Sequence, residues 1–269
     1  VEENTTLTLN VTHLLEIAKI AARKAGKFLI SRLGAAKIEH QKSLHDDLLD
    51  TDLEAEKLIL TTLKAGTPDI GILSEEAGSD GEHEHYWIVD PLDGSANFQH
   101  GSPTFAIAIA LVSKKTTIGG IIYIPMRDEM FTAIQHKGAY LNDSRIVVSR
   151  IAALDEAIAH VGDPVIDSDK DATNAYITDL SKLTREARRV RMIGTAATDL
   201  AYVSCGRADL LINYTPKPWD IEAGKLLLLE AGGKVSIKQY PNDKTLFLYT
   251  NGHVHQAAES LLIPTKSKD

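Results

Sequence analysis

The chain has 269 residues, 43% apolar and 25% charged, enough to bury a large core as one domain or two closely packed ones. A formal net charge of −8 opposes a broad electrostatic grip on nucleic acid or an anionic membrane, so neither is an expected partner. The single cysteine, Cys205, excludes an internal disulfide and suits a reducing compartment.

The opening VEENTTLTLN is acidic and polar where a secretory signal is basic and then apolar, and no apolar run approaches the roughly 20 residues of a membrane helix. A cytoplasmic location is therefore expected. From Thr12 to Leu33, Leu14, Leu15, Ala18, Ala21, Ala22, Ala25, Phe28 and Leu29 recur at helical spacing, which predicts an amphipathic helix. A second helix is expected over Thr51–Leu63, stopped by Gly66-Thr67-Pro68-Asp69. Short β-type runs follow at Ile70–Leu73, Tyr86–Val89, Phe105–Val112, Thr117–Tyr123 and Met130–Ile134, predicting a largely antiparallel sheet. Beyond Ser149 strands and helices alternate: Val190–Ile193, a helix Ala197–Cys205, Ala208–Ile212, a helix Asp220–Glu230, strands near Val235 and at Leu246–Tyr249, and a last helix from His253. The expected architecture is an α+β, layered αβαβα sandwich in a single structural unit, with residues 1–150 as an α+β part and 151–269 as a mixed α/β part. Asp163 to Asn174 is expected to be a mobile loop.

The stretch Trp87-Ile88-Val89-Asp90-Pro91-Leu92-Asp93-Gly94-Ser95-Ala96-Asn97-Phe98 runs an apolar strand into two acids, a proline and a glycine. Asp90 would stand at the strand tip, with Asp93 brought round on the same side of a tight turn. Gly94 lets the main chain approach a ligand, and the amides of Gly94 and Ser95 can face an anion if a helix begins near Ala96. A plain turn would also use D-P and D-G. Two further stretches weigh against that bland account. Ile72-Leu73-Ser74-Glu75-Glu76 is another apolar strand ending in acids, and Lys217-Pro218-Trp219-Asp220 puts an acid, otherwise read as a helix N-cap, at a helix start. Converging carboxylates about 4 Å apart repel by roughly 4 kcal/mol per pair at an effective dielectric of 20. Such a cluster takes up protons or binds cations, and oxygen donors suit Mg²⁺, Mn²⁺ or Ca²⁺ better than zinc. A two-carboxylate glycosidase needs fewer acids than are present here.

WIVDPLDGSANF and KPWDIEAGKLLLLEAGG resemble the two signature motifs of the inositol monophosphatase family, magnesium-dependent and lithium-sensitive phosphatases related to fructose-1,6-bisphosphatase. ILSEEAG is similar to the family's acidic strand end, and Gly194-Thr195-Ala196-Ala197-Thr198-Asp199-Leu200-Ala201-Tyr202 to its substrate-side segment. The resemblance implies that Glu75, Asp90 and the Leu92 carbonyl hold a first metal, that Asp90, Asp93 and Asp220 hold a second, and that a third, weaker Mg²⁺ sits on Glu75. It implies that Asp46, with Asp47 as the alternative, and the Ser95 hydroxyl activate the attacking water. Substrate would meet Asp93, Gly94, Ser95, Gly194, Thr195, Ala196 and Asn213. Two to three Mg²⁺ ions are expected, with Mn²⁺ a substitute, Li⁺ and Ca²⁺ inhibitors, a small phosphorylated metabolite as substrate and a homodimer as the assembly.

Three positions depart from the family pattern: Ser95 and Leu49 stand where threonine is usual, and Asn213 where inositol-preferring members carry glutamate. Asn213 can hydrogen-bond a hydroxyl without the charge-assisted strength of a carboxylate. The expected activity is hydrolysis of an inositol 1-phosphate-like monoester. NADP, 3′-phosphoadenosine 5′-phosphate, fructose 1,6-bisphosphate and histidinol phosphate are alternative substrates, and a metal-binding regulator with decayed catalysis is the rival class. Glu82-His83-Glu84-His85 is expected to be a solvated loop, Arg188-Arg189-Val190-Arg191 a solvated edge, and Cys205 a small core or interface residue. Gly232-Gly233-Lys234 lacks P-loop spacing and is expected to stop a helix.

Overall fold

The structure is a computed structural model, and it describes residues 9–43, 46–163, 170–240 and 244–263. In chain order the elements are α1 (Val11–Arg32), β1 (Ile38–Ser43), β2 (Asp46–Leu49), α2 (Asp50–Gly66), β3 (Gly71–Ser74), β4 (Gly78–Ser79), β5 (His85–Asp93), α3 (Ser95–Gln99), β6 (Ala106–Ser113), β7 (Thr116–Ile124), β8 (Glu129–Ile134), β9 (Gly138–Leu141) and β10 (Ser144–Ile146). There follow β11 (Ile158–Val161), α4 (Lys170–Glu186), β12 (Arg189–Arg191), α5 (Ala196–Ser204), β13 (Leu210–Tyr214), α6 (Pro218–Glu230), β14 (Lys234–Gln239), β15 (Thr245–Thr250) and α7 (His255–Leu262).

Two large sheets result. The first runs β10-β9-β8-β7-β6-β5-β3-β4 and is antiparallel except where β3 lies parallel to β5. The second runs β12-β11-β13-β15-β14 and is mixed, with β11 parallel to both β12 and β13. A separate hairpin pairs β1 with β2.

The period-two alternation of the strands assigns each sheet face to a different helical layer. Trp87, Val89, Ile107 and Ile109 pack beneath the α1 and α2 stripes that include Ala18, Ala22 and Ile59. The opposite face of the same sheet, with Ile88, Ala108, Ile122 and Phe131, meets Ala197 and Ala201 of α5 and Ala223 and Leu227 of α6. Those two helices turn their other side, through Leu200, Val203 and Leu228, onto Leu211 and Tyr249 of the second sheet. The far face of that sheet, with Val161, Ile212 and Leu248, is closed by Tyr176 and Leu183 of α4 and Ala258 and Leu262 of α7. The layers are thus α, β, α, β, α, as expected. Close approach of α6 to β7 needs Gly120, where an added Cβ would lie 3.1 Å from the Ala223 Cα.

Several boundaries differ from the sequence expectations. β5 continues through Asp90 to Asp93, so the acids lie within the strand rather than in a turn beyond Val89. Pro91 has no amide to give the ladder, and the pairing with β6 accordingly becomes irregular between Asp90 and Asp93. Asp163–Asn174 is not a continuous loop: α4 begins at Lys170, and residues 164–169 lie outside the described residues. The hairpin β1–β2 and the strand β11 had no clear period in the sequence; α4 had one, Tyr176, Leu180 and Leu183 at helical spacing, and was not singled out. Cys205 caps the C-terminus of α5, half-buried, and burial pushes its thiol up. Gly232, at φ 97°, ends α6 and leads into β14, as expected. Among the described residues no helix is long and apolar enough to cross a membrane.

Candidate active site

β5 lies between β3 and β6, which buries its end on both flanks. Asp90 is 2% exposed, and its Oδ1 accepts from the Leu92 amide at 3.0 Å, folding the chain back around Pro91. The Glu75 amide donates to the Val89 carbonyl at 3.1 Å, so the acidic end of β3 stands beside the acidic end of β5. Asp220 sits in the first turn of α6. Lys217 is the N-cap there, rather than Asp220, and the Asp220 Oδ2 accepts from the Lys217 amide at 2.7 Å.

Burial pushes the Asp90 carboxyl well above the usual carboxylate range, reinforced by the charges of Glu75, Asp93 and Asp220. The four acids expected to hold metal are therefore near enough for the charges of the other three to act on Asp90. Asp93 is pushed up to about 8, first by burial and then by Asp220 and Asp199, against the lowering pull of the Thr195 hydroxyl and the Ala197 amide.

The Gly194–Ala196 segment meets the acids directly. The Thr195 hydroxyl donates to Asp93 Oδ2, and the Ala197 amide donates to the same oxygen at 2.7 Å. The Ala196 amide donates to Asp93 Oδ1 at 3.3 Å. Thr195 also caps α5, its side chain accepting from the Thr198 amide at 3.3 Å. Gly94 turns the chain at φ 98°, and α3 starts at Ser95, whose hydroxyl donates to the Leu92 carbonyl at 3.1 Å. An added Cβ at Gly94 would lie 3.2 Å from both the Gly194 and Thr104 carbonyl oxygens. Gly94→Ala is accordingly expected to destabilise the fold by about 1–2 kcal/mol or more, read as a lowered thermal midpoint, because a left-handed backbone disfavours any Cβ.

Asn213 lies on β13, 7% exposed, on the strand face that α5 covers. Its Oδ1 would be 2.7 Å from a Cβ at Gly162, so the end of β11 needs glycine to fit beside it. The backbone of Asp46 lies in β2, but its side chain lies outside the described residues, as does His45. Leu49, where the family pattern has threonine, is fully buried at the start of α2.

Two residues that position the site were not singled out in the sequence. Glu56 of α2, 6% exposed, accepts through Oε1 from the Ser74 hydroxyl, the Glu76 amide at 3.1 Å and the Ala77 amide at 3.0 Å, cradling the turn that carries Glu75. The signal was present: Asp52 and Glu56 fall on the same helical stripe as Ile59 and Leu63, a place where a charged side chain has to serve a buried partner. Asn97 of α3 donates through Nδ2 to the Thr104 carbonyl at 2.9 Å and the Ile193 carbonyl at 2.7 Å, tying α3 to the loop before α5.

In kind, four carboxylates, a main-chain carbonyl and hydroxyls are hard oxygen donors that fit a divalent cation. In arrangement, Asp90, Asp93 and Asp220 are engaged by protein donors, and among the described residues no set of three His, Cys, Asp or Glu side chains stands gathered as a ready cation cage. The excess of buried negative charge is what such a cation would neutralise. The Glu82–His85 stretch yields no cage either: His83 Nε2 pairs with Asp80 at 3.2 Å, and His85 with Glu84 at 3.5 Å.

The chain is similar to known proteins in sequence and fold. The chain is 40% identical over 217 residues to the Nus factor SuhB of Xylella fastidiosa, covering 80% of this chain and 78% of that one. It is 35% identical over 237 residues to the fructose-1,6-bisphosphatase/inositol-1-monophosphatase of Thermotoga maritima, covering 87% and 89%. The crystal structure of the extragenic suppressor protein SuhB from Bartonella henselae superposes with a TM-score of 0.85 at 35% identity, covering 95% of this chain and 99% of that one. The model of the inositol monophosphatase family matches residues 10–265, spanning both sheets and all four acids, and the chain belongs to that family.

Proposed function

We propose that the chain is a metal-dependent phosphatase that hydrolyses a small phosphomonoester of the inositol 1-phosphate type. The observation that carries this reading is the buried convergence of Asp90 with Glu75, Asp93 and Asp220, a charge excess that only protons or cations relieve. The name of the Thermotoga relative, a fructose-1,6-bisphosphatase/inositol-1-monophosphatase, supports the same chemistry.

Glu75, Asp90 and the Leu92 carbonyl would hold one Mg²⁺, Asp90, Asp93 and Asp220 a second, and Glu75 a weaker third. When bound, such ions neutralise a phosphate dianion, lower the pKa of a water and stabilise a leaving alkoxide. The chain supplies the rest. Asp93 is fixed in place by three donors from the start of α5, so its orientation is set before any ligand arrives. The amides of Gly94 and Ser95, at the left-handed turn into α3, steady phosphoryl oxygens. Ser95 Oγ, held on the Leu92 carbonyl, and Asp46, with Asp47 as the alternative, take the proton of the attacking water. Gly194, Thr195, Ala196 and Asn213 receive the alcohol part. Mn²⁺ is a substitute metal, Li⁺ and Ca²⁺ are inhibitors, and the assembly is a homodimer in the cytoplasm.

The test is phosphate release from inositol 1-phosphate, NADP, 3′-phosphoadenosine 5′-phosphate, fructose 1,6-bisphosphate and histidinol phosphate, with Mg²⁺ and with EDTA. Release from inositol 1-phosphate that requires Mg²⁺ is expected, and the ranking of kcat/KM reports what Asn213 does to specificity. Silence across the whole panel would overturn the enzyme reading. It would favour a second one, a metal-binding regulator, which draws support from the buried Leu49 beside the water-activating segment and from relatives named Nus factors.

A further inference from the structure

Behind the site, outside the groups assigned above, His160 of β11 and Asp199 of α5 form a buried pair through His160 Nδ1 and Asp199 Oδ1. The residues are 4% and 1% exposed. Their facing atoms are engaged with each other, and Asp199 does not cap its helix, since Thr195 already fills that role. Burial pushes Asp199 up to about 6 even with His160 beside it. The second oxygen of Asp199 is buried with no hydrogen-bond partner among the described residues. Pairs buried in this way add little net stability over an apolar filling, so their worth lies in fixing one arrangement over others.

The arrangement they fix is the seating of α5. On one side, the first turn of this helix gives Asp93 its three donors. On the other, His160 stands two residues before Gly162 on the strand face that carries Leu211 and Asn213, so it ties α5 to the sheet holding the alcohol side. The ring of His160 also lies edge-on to Tyr202, with centroids 6.3 Å apart. Arg207 lies over the same Tyr202 ring, 5.2 Å from its centroid, and grips Glu129 of β8 with two bonds of 2.6 and 2.8 Å. A continuous line of contacts therefore runs from the first sheet, through α5, to the second.

We propose that the His160–Asp199 pair is a positioning device, seating the start of α5 so that Asp93 and the Asn213 wall keep a fixed spacing. This rests on the phosphatase reading for its catalytic consequence, but the seating itself is structural. The pair does not react. It sets where the phosphate end and the alcohol end of a substrate can be held at once, and a displacement of about 1 Å at such a site is worth on the order of 10²-fold in rate.

The experiment compares three proteins with the wild type. Asp199→Asn keeps an acceptor for His160. Asp199→Ser is too short to reach the ring and leaves no buried charge. His160→Leu with Asp199→Ala replaces both polar groups together. The first readout is hydrogen exchange at the Ala196 and Ala197 amides, which needs no turnover. The second is kcat and KM for inositol 1-phosphate beside 4-nitrophenyl phosphate, whose alcohol part offers no hydroxyls to the Asn213 wall. Asp199→Asn is expected to match wild type within about threefold in both. Asp199→Ser and the double variant are expected to exchange Ala196 and Ala197 at least tenfold faster, with kcat/KM falling about 10²-fold for inositol 1-phosphate and less for the aryl ester. Wild-type exchange in whichever of these two variants folds, or loosening in Asp199→Asn equal to theirs, would overturn the proposal. Absence of turnover in the wild type would instead sink the phosphatase reading, with the exchange result still deciding the seating.

Discussion

Asp90→Asn is expected to lose Mg²⁺-dependent phosphate release by on the order of 10²- to 10³-fold, the loss that follows removal of one preorganised electrostatic group, while its metal-free form melts no lower than wild type. The two effects have one origin. Asp90 is buried among three other acids, so neutralising it relieves repulsion, and asparagine keeps the acceptor that the Leu92 amide uses. A gain of about 1 kcal/mol would raise the midpoint by roughly 2–4 °C in a chain of this size. Asp93→Asn should also lose activity, but it is the less clean probe: three donors converge on that carboxylate, and a side-chain amide would turn its own hydrogens toward some of them. Wild-type turnover in Asp90→Asn would mean that the acids on β5 are not the reacting centre.

The EDTA-treated protein is expected to lose stability as pH rises toward and beyond 8, and to recover it with Mg²⁺. Asp93 titrates near 8 in the folded chain against an ordinary value of 3.8, so the folded state holds a proton that the unfolded state has already lost. For a group raised in this way, the stabilising contribution is complete below the ordinary value and disappears as pH climbs through the folded one. Asp90, raised well above its ordinary value by burial and its acidic neighbours, acts in the same direction. Thermal midpoints at pH 5.5 and 8.5, each with EDTA and with Mg²⁺, should show the lowest value for the EDTA sample at pH 8.5 and the largest Mg²⁺ response there. Saturation at about 100 times the dissociation constant is worth roughly 2.7 kcal/mol. Equal midpoints at both pH values in EDTA would show that the carboxylates are not crowded as described.

The helices α1 and α2 were legible within a few residues, and so were the central strands of the first sheet, because burial there follows simple periods. The acids were legible through placement: carboxylates that interrupt apolar runs ask for a partner. What escaped were features decided by tertiary context. β1 and β2 pair only with each other, and neither carries an apolar alternation, although Leu49 at the end of β2 enters the core. α4 opens in Lys170-Asp171-Ala172-Thr173-Asn174, a composition that looks like a loop. Glu56 acts on a hydroxyl and two amides 18 to 21 residues away in the chain, and Asn97 reaches carbonyls 96 and 97 residues away. His160 and Asp199 likewise lie 39 residues apart.

The Asn97 tie to Ile193 and the Asp93 tie to Ala197 close chain separations of 96 and 104 residues. Contacts so distant in sequence form after local hairpins and helices, since their loops are the costliest to close. The mutually repelling carboxylates of β5 therefore meet the helices of the second half only when the two sheets dock. The first sheet already sets Asp90 against Glu75 and Asp93 when it forms, and docking of the second half adds the charge of Asp220. The share of the repulsion that Asp220 contributes thus falls on the docking step, and that is the step whose electrostatic cost a divalent cation would lower.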